Sequence, residues 1–345
     1  MNGSLAKAFY ISALLFFAIL LLYYAQALLI PFVVAVVIWY LILTLRNAVL
    51  GIPKVGALLP SWLANLLAVV LSFLFIYMIG SIVTENVNAL INLAPEYAAR
   101  LNTLKDQFFQ FLHVDDVPNF DEIFGKFDVF NVLTLIAQAV AEVAKSTAII
   151  FIYVIFLLLE GHYFDQKIRA LARKDANREA THQILDKIAA QVQSYVRIKT
   201  FVSFLTALSA YVVLVAVGVD FADFWALLFF ILNFIPTIGS IIATILPIVV
   251  SVVQFESLFP VSLVAAGLIT VQMVFGNFIE PRLMGRSFNL SPLVILLSLA
   301  IWGYIWGIVG MLLSVPIMVI LNIIFSNFEE TEPLAILLSE KGEVK

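Results

Sequence analysis

Eight long apolar runs are the feature of this sequence that most constrains its fold. An α-helix needs roughly 20 residues to cross a hydrocarbon layer about 30 Å thick, and several runs exceed that length. The chain has 345 residues, of which 63% are hydrophobic, whereas soluble domains are about 45–50% apolar. The sequence therefore predicts an all-α polytopic integral membrane protein with about eight membrane-embedded helices, in the runs 9–30, 31–45, 61–84, 146–159, 200–219, 225–253, 258–279 and 290–325.

The polar residues exclude several kinds of chemistry. The chain has no cysteine and only three histidines, which are far apart in sequence. It carries neither of the glycine-rich nucleotide-binding motifs, and no Ser/His or Asp/Asp constellation suggests an intramembrane enzyme. The net charge is −4 without a basic cluster, which argues against nucleic acid. We expect no catalytic residue, no metal and no cofactor.

Lysine and arginine predict the orientation, because they concentrate in cytoplasmic loops. Residues 161–199 contain eight of them, whereas residues 85–145 contain four beside nine acids. We therefore predict a cytoplasmic N-terminus and place residues 85–145 outside. The first two runs then form a hairpin that turns near residues 26–31.

Two runs in the C-terminal half are too long for one upright crossing. A helix over 225–253 would be about 43 Å long, and Pro236, Gly239 and Pro247 interrupt it. A single crossing would also leave Arg282 and Arg286 outside. A hairpin that enters from outside and turns at residues 233–240 removes both problems. The run 290–325 predicts a second broken element with a turn at residues 302–307, and whether it crosses once or twice stays open.

These features divide the chain into four parts. An N-terminal hairpin and third span (1–84) precede a helical extracytoplasmic insertion (85–145), in which apolar residues recur at helical spacing from Leu90 to Phe111. The fourth span and a cytoplasmic amphipathic helix over 176–199 follow (146–199). That helix lies in the headgroup plane or packs on a neighbour. The transport half is 200–345, with hairpins at 225–253 and 290–325.

Polar side chains inside apolar runs are candidate functional residues, because burying them in lipid is costly. At about 100° per residue, Gln272, Asn277 and Glu280 share one polar face of an α-helix. Each amide alone is explained by an interhelical hydrogen bond. Beside a broken helix, however, the cluster predicts a substrate path. The predicted path residues are Asn233, Pro236, Thr237, Gly239, Ser240, Gln272 and Asn277.

Glu280 has two interpretations. It could carry a proton or bind a cation at the inner end of a path. Alternatively, it is an interfacial carboxylate in a structural pair with Arg282 or Arg286. Its position beside the predicted cytoplasmic loop favours the structural pair.

Three motifs in this half carry a family resemblance. They are Asn-Phe-Ile-Pro-Thr-Ile-Gly-Ser at 233–240, Phe-Gly-Asn-Phe-Ile-Glu-Pro-Arg-Leu-Met-Gly-Arg at 275–286 and Gly-Met-Leu-Leu-Ser-Val-Pro at 310–316. In order and spacing they resemble the autoinducer-2 exporter (AI-2E) family, and the likeness extends over nearly the whole chain. The resemblance implies a bacterial inner-membrane transporter that exports the furanosyl quorum-sensing signal autoinducer-2. It also implies a homo-oligomer, specifically a pentamer, in the lipid bilayer.

Some members of that family resemble sodium/proton antiporters, so two transport functions are open. A small polyol requires neutral hydrogen-bonding groups, which the first hairpin supplies. An antiporter requires a carboxylate well inside the membrane, and the only candidate, Glu280, lies near an edge. The sequence favours export of a small polar substrate.

Overall fold

The computed structural model describes residues 3–51, 60–112, 138, 145–171, 178–255, 257–284 and 289–342. Within these residues all regular structure is helical, so the all-α prediction is confirmed for this part of the chain. The elements are α1 Gly3–Tyr24, α2 Gln26–Leu50, α3 Ser61–Leu112, α4 Thr147–Leu171, α5 Arg178–Val217, α6 Ala222–Leu232, α7 Ile238–Gln254, α8 Leu258–Gln272, the π-helix Met273–Ile279, α9 Glu280–Met284, α10 Pro292–Ser326 and α11 Glu332–Leu338.

Five of the described helices are long and apolar enough to cross a membrane: Gln26–Asn47, Trp62–Val83, Gln183–Val217, Leu258–Met284 and Pro292–Ser326. Four further apolar helices are shorter: Ser12–Tyr24, Thr147–Gly161, Ala222–Leu232 and Ile238–Gln254. The polytopic membrane class is supported, whereas the number of about eight embedded helices stays a prediction.

Two helices continue through boundaries that the sequence analysis placed between separate parts. Helix α3 has 52 residues, so the third span and the helix predicted at 90–111 are one element. Helix α5 has 40 residues and joins the amphipathic helix predicted at 176–199 to the span that follows it. Neither glycine nor proline occurs within α5, so nothing in its sequence interrupts the backbone hydrogen bonds.

The helices pack as two units that do not follow chain order. Unit 1 combines Met1–Ser72, Val143–Val196 and Ser287–Lys345, and unit 2 combines Phe73–Glu142 with Arg197–Arg286. The four-part division by sequence stays a prediction about domains.

In unit 1, α1 and α2 meet at Ala25, whose N–H donates to the Leu21 carbonyl and whose carbonyl accepts from Leu29 N–H. Helical hydrogen bonds thus continue on both sides of the junction, and the N-terminal hairpin stays a prediction.

Helix α2 packs on α4, where the rings of Phe32 and Tyr153 meet at 5.5 Å. Further along both helices, Gly161 lies against the ring of Trp39. Because both contacts advance in the same chain direction, α2 and α4 are parallel. If successive spans cross the membrane in opposite directions, the second and fourth spans are expected to be parallel.

Helix α10 is itself a hairpin of two helical arms. Gly307 has φ 61° and ψ −143°, a conformation that is essentially restricted to glycine. The Ser298 hydroxyl donates to the Ser314 carbonyl at 3.4 Å, although 16 residues of straight helix would separate them by about 24 Å. The reversal at Gly307 lies at the end of the predicted turn, residues 302–307.

The tip of this hairpin is attached to the end of α1. Trp306 donates its indole N–H to the Leu22 carbonyl at 3.0 Å, one of the last carbonyls of α1, which lack partners within their own helix. At the other end of the hairpin, α11 packs beside the start of α10, and Ser291 N–H donates to the Leu338 carbonyl at 2.9 Å.

Candidate functional site

The candidate site lies in unit 2, where the chain breaks between α6 and α7. The break is Asn233–Thr237, inside the range in which the sequence analysis placed a turn. Thr237 has φ 57° and ψ −60°, and Ile238 N–H donates to the Pro236 carbonyl across it. Thr237 is therefore the central residue of a γ-turn, with a positive φ that strains a non-glycine residue.

Gly239 allows the two helix ends to approach each other. It is buried, and a Cβ at this position would collide with the Leu232 carbonyl and the Ile235 side chain. The next residue, Ser240, donates its hydroxyl to the Thr237 carbonyl at 2.9 Å. Local backbone contacts thus explain Gly239 and Ser240.

The far ends of α6 and α7 are joined, so the element is a helical hairpin. The Gln254 side chain, at the end of α7, accepts from Asp220 N–H at 2.9 Å and donates to the Gly218 carbonyl at 2.8 Å. The Trp225 indole N–H also donates to the Asp220 carbonyl, at 2.9 Å. Helix α6 therefore begins, and helix α7 ends, beside the C-terminus of α5.

A stripe of buried polar residues on α5 faces this hairpin and the helix that follows it. We call Lys199, Ser203 and Thr206 the α5 stripe, since steps of four and three residues place them on one helix face. All three are buried. The Asn233 amide donates to the Ser203 hydroxyl at 3.0 Å, so the stripe reaches the helix break directly.

Lys199 makes an ion pair with Glu280, at the start of α9. The exposed fractions of the two side chains are 5% and 18%. Because Lys199 and Ser203 are one helical turn apart, the stripe brings Glu280 and Asn233 to neighbouring positions on α5. The sequence predicts Arg282 or Arg286 as the structural partner of Glu280. Arg282 is exposed, and Arg286 lies outside the described residues.

Helices α5 and α8 run antiparallel along this surface. A Cβ on Gly267 would lie 2.6 Å from Cγ1 of Val213, so the helices approach closely at this point. The Lys199–Glu280 pair lies further from the hairpin's joined ends, in the same antiparallel register. The Lys199–Glu280 ion pair therefore lies near one end of the α5–α8 pair, and the joined ends of α6 and α7 lie near the other end.

Between Gln272 and Glu280 the helix is π-helical, from Met273 to Ile279. The calculated angles of the polar face assumed an α-helix, in which every step of four residues rotates by about 40°. The wider turn of a π-helix offsets this drift. Gln272, Gly276 and Glu280 therefore all remain partly buried, whereas Asn277 is exposed.

Gln272 carries an unsatisfied polar atom. Its Oε1 is buried without a hydrogen-bond partner, and its Nε2 lies so close to Gly276 that a Cβ there would be 2.7 Å away. A buried amide oxygen without a partner costs free energy and is available to a ligand hydroxyl. This is the predicted path residue with the clearest unused hydrogen-bonding capacity.

The remaining predicted path residues are placed as follows. Pro236 is half-buried and Thr237 exposed, both in the break.

No group of three or more His, Asp or Glu side chains in the described ranges could hold a metal ion. Of the predicted residues, the stripe brings Asn233 and Glu280 together.

Lys199, Ser203 and Thr206 were missed by the sequence analysis. In the sequence, Lys199 belongs to the eight lysines and arginines of residues 161–199 that predict the cytoplasmic side. The available signal was the spacing of a lysine, a serine and a threonine on one face of an otherwise apolar segment.

Comparison with known proteins gives consistent matches over most of the chain. A sequence profile of the AI-2E family transporters matches residues 11–330. The chain is 32% identical over 326 residues to the AI-2 transport protein TqsA of Escherichia coli, covering 92% of this chain and 91% of that protein.

Two further relatives carry names that refer to transport alone. A Haemophilus influenzae protein is 32% identical over 319 residues, which cover 88% of this chain and 90% of the relative. The Escherichia coli protein YhhT is 29% identical over 279 residues, or 79% of this chain and 78% of YhhT.

Proposed function

Since the chain belongs to the AI-2E family of membrane transporters, we propose that it exports a small polar molecule, autoinducer-2, across the bacterial inner membrane. The proposal rests on the name of the relative TqsA and on the neutral polar groups of unit 2. A furanosyl polyol is recognised by hydrogen bonds, so its path requires amides and hydroxyls rather than a net charge.

The α5 stripe is the observation that carries this proposal. It is a row of buried polar side chains on an apolar helix, and it contacts both the helix break and the start of α9. Broken helices and buried polar groups at membrane depth are typical of substrate sites in transporters. In this proposal the substrate moves along the stripe, past Asn233 and the free oxygen of Gln272.

The path also includes the backbone of the break, from Pro236 to Ser240. Asn277 is exposed in the single chain, so it belongs to the path in an assembly that encloses it. We propose a homo-oligomer, a pentamer, with the N-terminus of each chain in the cytoplasm.

The alternative function is sodium/proton antiport, with Glu280 as the coupling carboxylate. The alternative requires Glu280 to exchange ions during each cycle. Lys199 already neutralises the Glu280 carboxylate, so Glu280 needs no exchanged cation. This contact supports the export of a neutral molecule over antiport.

Uptake into inverted membrane vesicles tests the proposal, since export from the cell becomes uptake in this orientation. We expect uptake of autoinducer-2. Sodium uptake driven by a pH gradient, without uptake of autoinducer-2, would instead establish the antiporter.

The variant Gln272→Leu tests the path. Removing a group that pairs with the substrate leaves the substrate's own polar group unsatisfied, which costs roughly 1–3 kcal/mol, so we expect export to fall about tenfold. Gln183→Leu makes the same change at an exposed glutamine of α5 and should export normally. Equal export by both variants would exclude Gln272 from the path.

A further inference from the structure

Lys199 is counted with the cytoplasmic charges in the sequence, but in the structure it is a buried side chain paired with Glu280. Its ammonium contacts the Glu280 carboxylate, and both side chains are largely shielded from solvent. Lys199 lies within the membrane-span candidate Gln183–Val217, and Glu280 within Leu258–Met284. The pair is thus a neutral unit between two apolar helices.

A carboxylate in such a place requires a countercharge. The desolvation penalty for an unpaired buried ion is several kcal/mol, so Glu280 would otherwise bind a proton or a free cation. A sodium ion must be captured from solution, with a cost in translational freedom. The Lys199 ammonium is attached to α5, so its position is already fixed by folding.

We propose that Lys199 is a tethered countercation that makes this transporter selective for uncharged substrates. By occupying the cation position at Glu280, it prevents sodium from binding there, and the transport step then requires no bound cation. The selectivity for neutral substrates rests on the proposed function. The contact of Lys199 with Glu280 does not, because it is observed in the chain itself.

The neighbouring groups fit this role. One helical turn from Lys199, the Ser203 hydroxyl and the Asn233 amide are hydrogen-bonded to each other. Both are neutral and can exchange that bond for one to a substrate hydroxyl. A polyol passing along the α5 stripe therefore meets hydrogen-bonding groups and a compensated ion pair, whereas an ion meets no unpaired opposite charge among these four described side chains.

Thermal unfolding of the purified protein tests the proposal without autoinducer-2, so that its outcome is independent of the export assay. Unfolding midpoints are compared in sodium chloride and in choline chloride at equal ionic strength. For the wild type we expect equal midpoints. Lys199→Met is nearly isosteric and frees Glu280, so sodium should raise its midpoint, by on the order of 2 °C at ten times the dissociation constant.

Three further variants complete the design. Lys199→Arg keeps the charge and should behave like the wild type. The double variant Lys199→Met/Glu280→Gln has no charge to compensate and should lose the sodium effect. Glu280→Gln leaves Lys199 unpaired, so its midpoint should respond to chloride against gluconate, which provides a second test if Lys199→Met does not fold.

A saturable sodium effect on the wild type would overturn the proposal. So would the absence of an ion-specific response in the single neutral variants that fold. If the ion responses appear but vesicles take up no autoinducer-2, the tethered countercation stands and the proposed substrate is wrong.

Discussion

At the scale of single residues, Gly239 has the most restricted position in the helix break. A Cβ there would overlap the Leu232 carbonyl, a backbone atom that cannot move independently of α6. We expect Gly239→Ala to destabilise the protein by about 1–3 kcal/mol, as overpacking does in other cores. The measurement is the thermal unfolding midpoint in detergent.

Gly80→Ala is the matched control for this substitution. A Cβ at Gly80, in α3, would meet nothing within 4 Å. Because alanine is favoured over glycine in a helix interior by roughly 1 kcal/mol, this variant should be at least as stable as the wild type. An equal loss in both variants would show that close contact at Gly239 is not the cause.

The sequence predicts the residues of the break better than it predicts the partners of the charged groups. Pro236 and Gly239 act through the local backbone, and local effects are visible in a sequence. The partner of Glu280 is Lys199, 81 positions away, and two nearer arginines were considered instead. Such a pairing depends on the register between two helices, which is determined by packing.

At the scale of elements, hydrogen bonds hold the start of α6 beside the end of α7. Gln254 bonds to the backbone at Gly218 and Asp220, so both arms must open toward one side of the membrane. We predict that cysteines at Asp223 and Ser257, both exposed, react with an impermeant thiol reagent from the periplasmic side. The chain has no native cysteine, which removes background labelling.

A cysteine at the exposed Arg282 is the control and should react from the cytoplasmic side alone. Asp223 and Ser257 reacting from opposite sides would contradict the hairpin. If all three positions react from the side opposite to the one expected, the hairpin stands and the predicted orientation is inverted.

Elements that depend on proline and glycine were predictable, and the π-helix was not. Gly307 and the residues 233–240 interrupt helical hydrogen bonding by their own chemistry. The segment Met273–Ile279 contains only one glycine and no proline. Its wider turn keeps Gln272 and Glu280 facing inward, so the geometry follows from tertiary contacts rather than from local propensity.

At the scale of the whole molecule, the exposed amide of Asn277 requires a partner. It lies between exposed apolar residues of the π-helix, Val274 and Phe278. An unpaired amide facing lipid is unfavourable, which another copy of the chain can relieve. We predict a stable homo-oligomer, a pentamer, in native mass spectrometry from a mild detergent. Monomers alone across several mild detergents would contradict the assembly.

The packing units could not be predicted from the order of the chain. The lengths of two apolar runs, the proline and glycine residues within them and the distribution of lysine and arginine predict a C-terminal half with two hairpins. In the structure, the α6–α7 hairpin belongs to unit 2 and the α10 hairpin to unit 1. The hydrogen bond from Trp306 to Leu22 illustrates the reason, since side chains that meet across such distances leave no local pattern.

That hydrogen bond also has a consequence for biosynthesis. Leu22 and Trp306 are 284 residues apart, so the ribosome adds the second roughly 15 to 60 s after the first at typical elongation rates. During this interval α1 and α2 have entered the membrane without the hairpin that completes their packing. Unit 1 is therefore completed only when translation has almost ended, and until then we expect α1 and α2 to remain in contact with the machinery that inserts membrane helices.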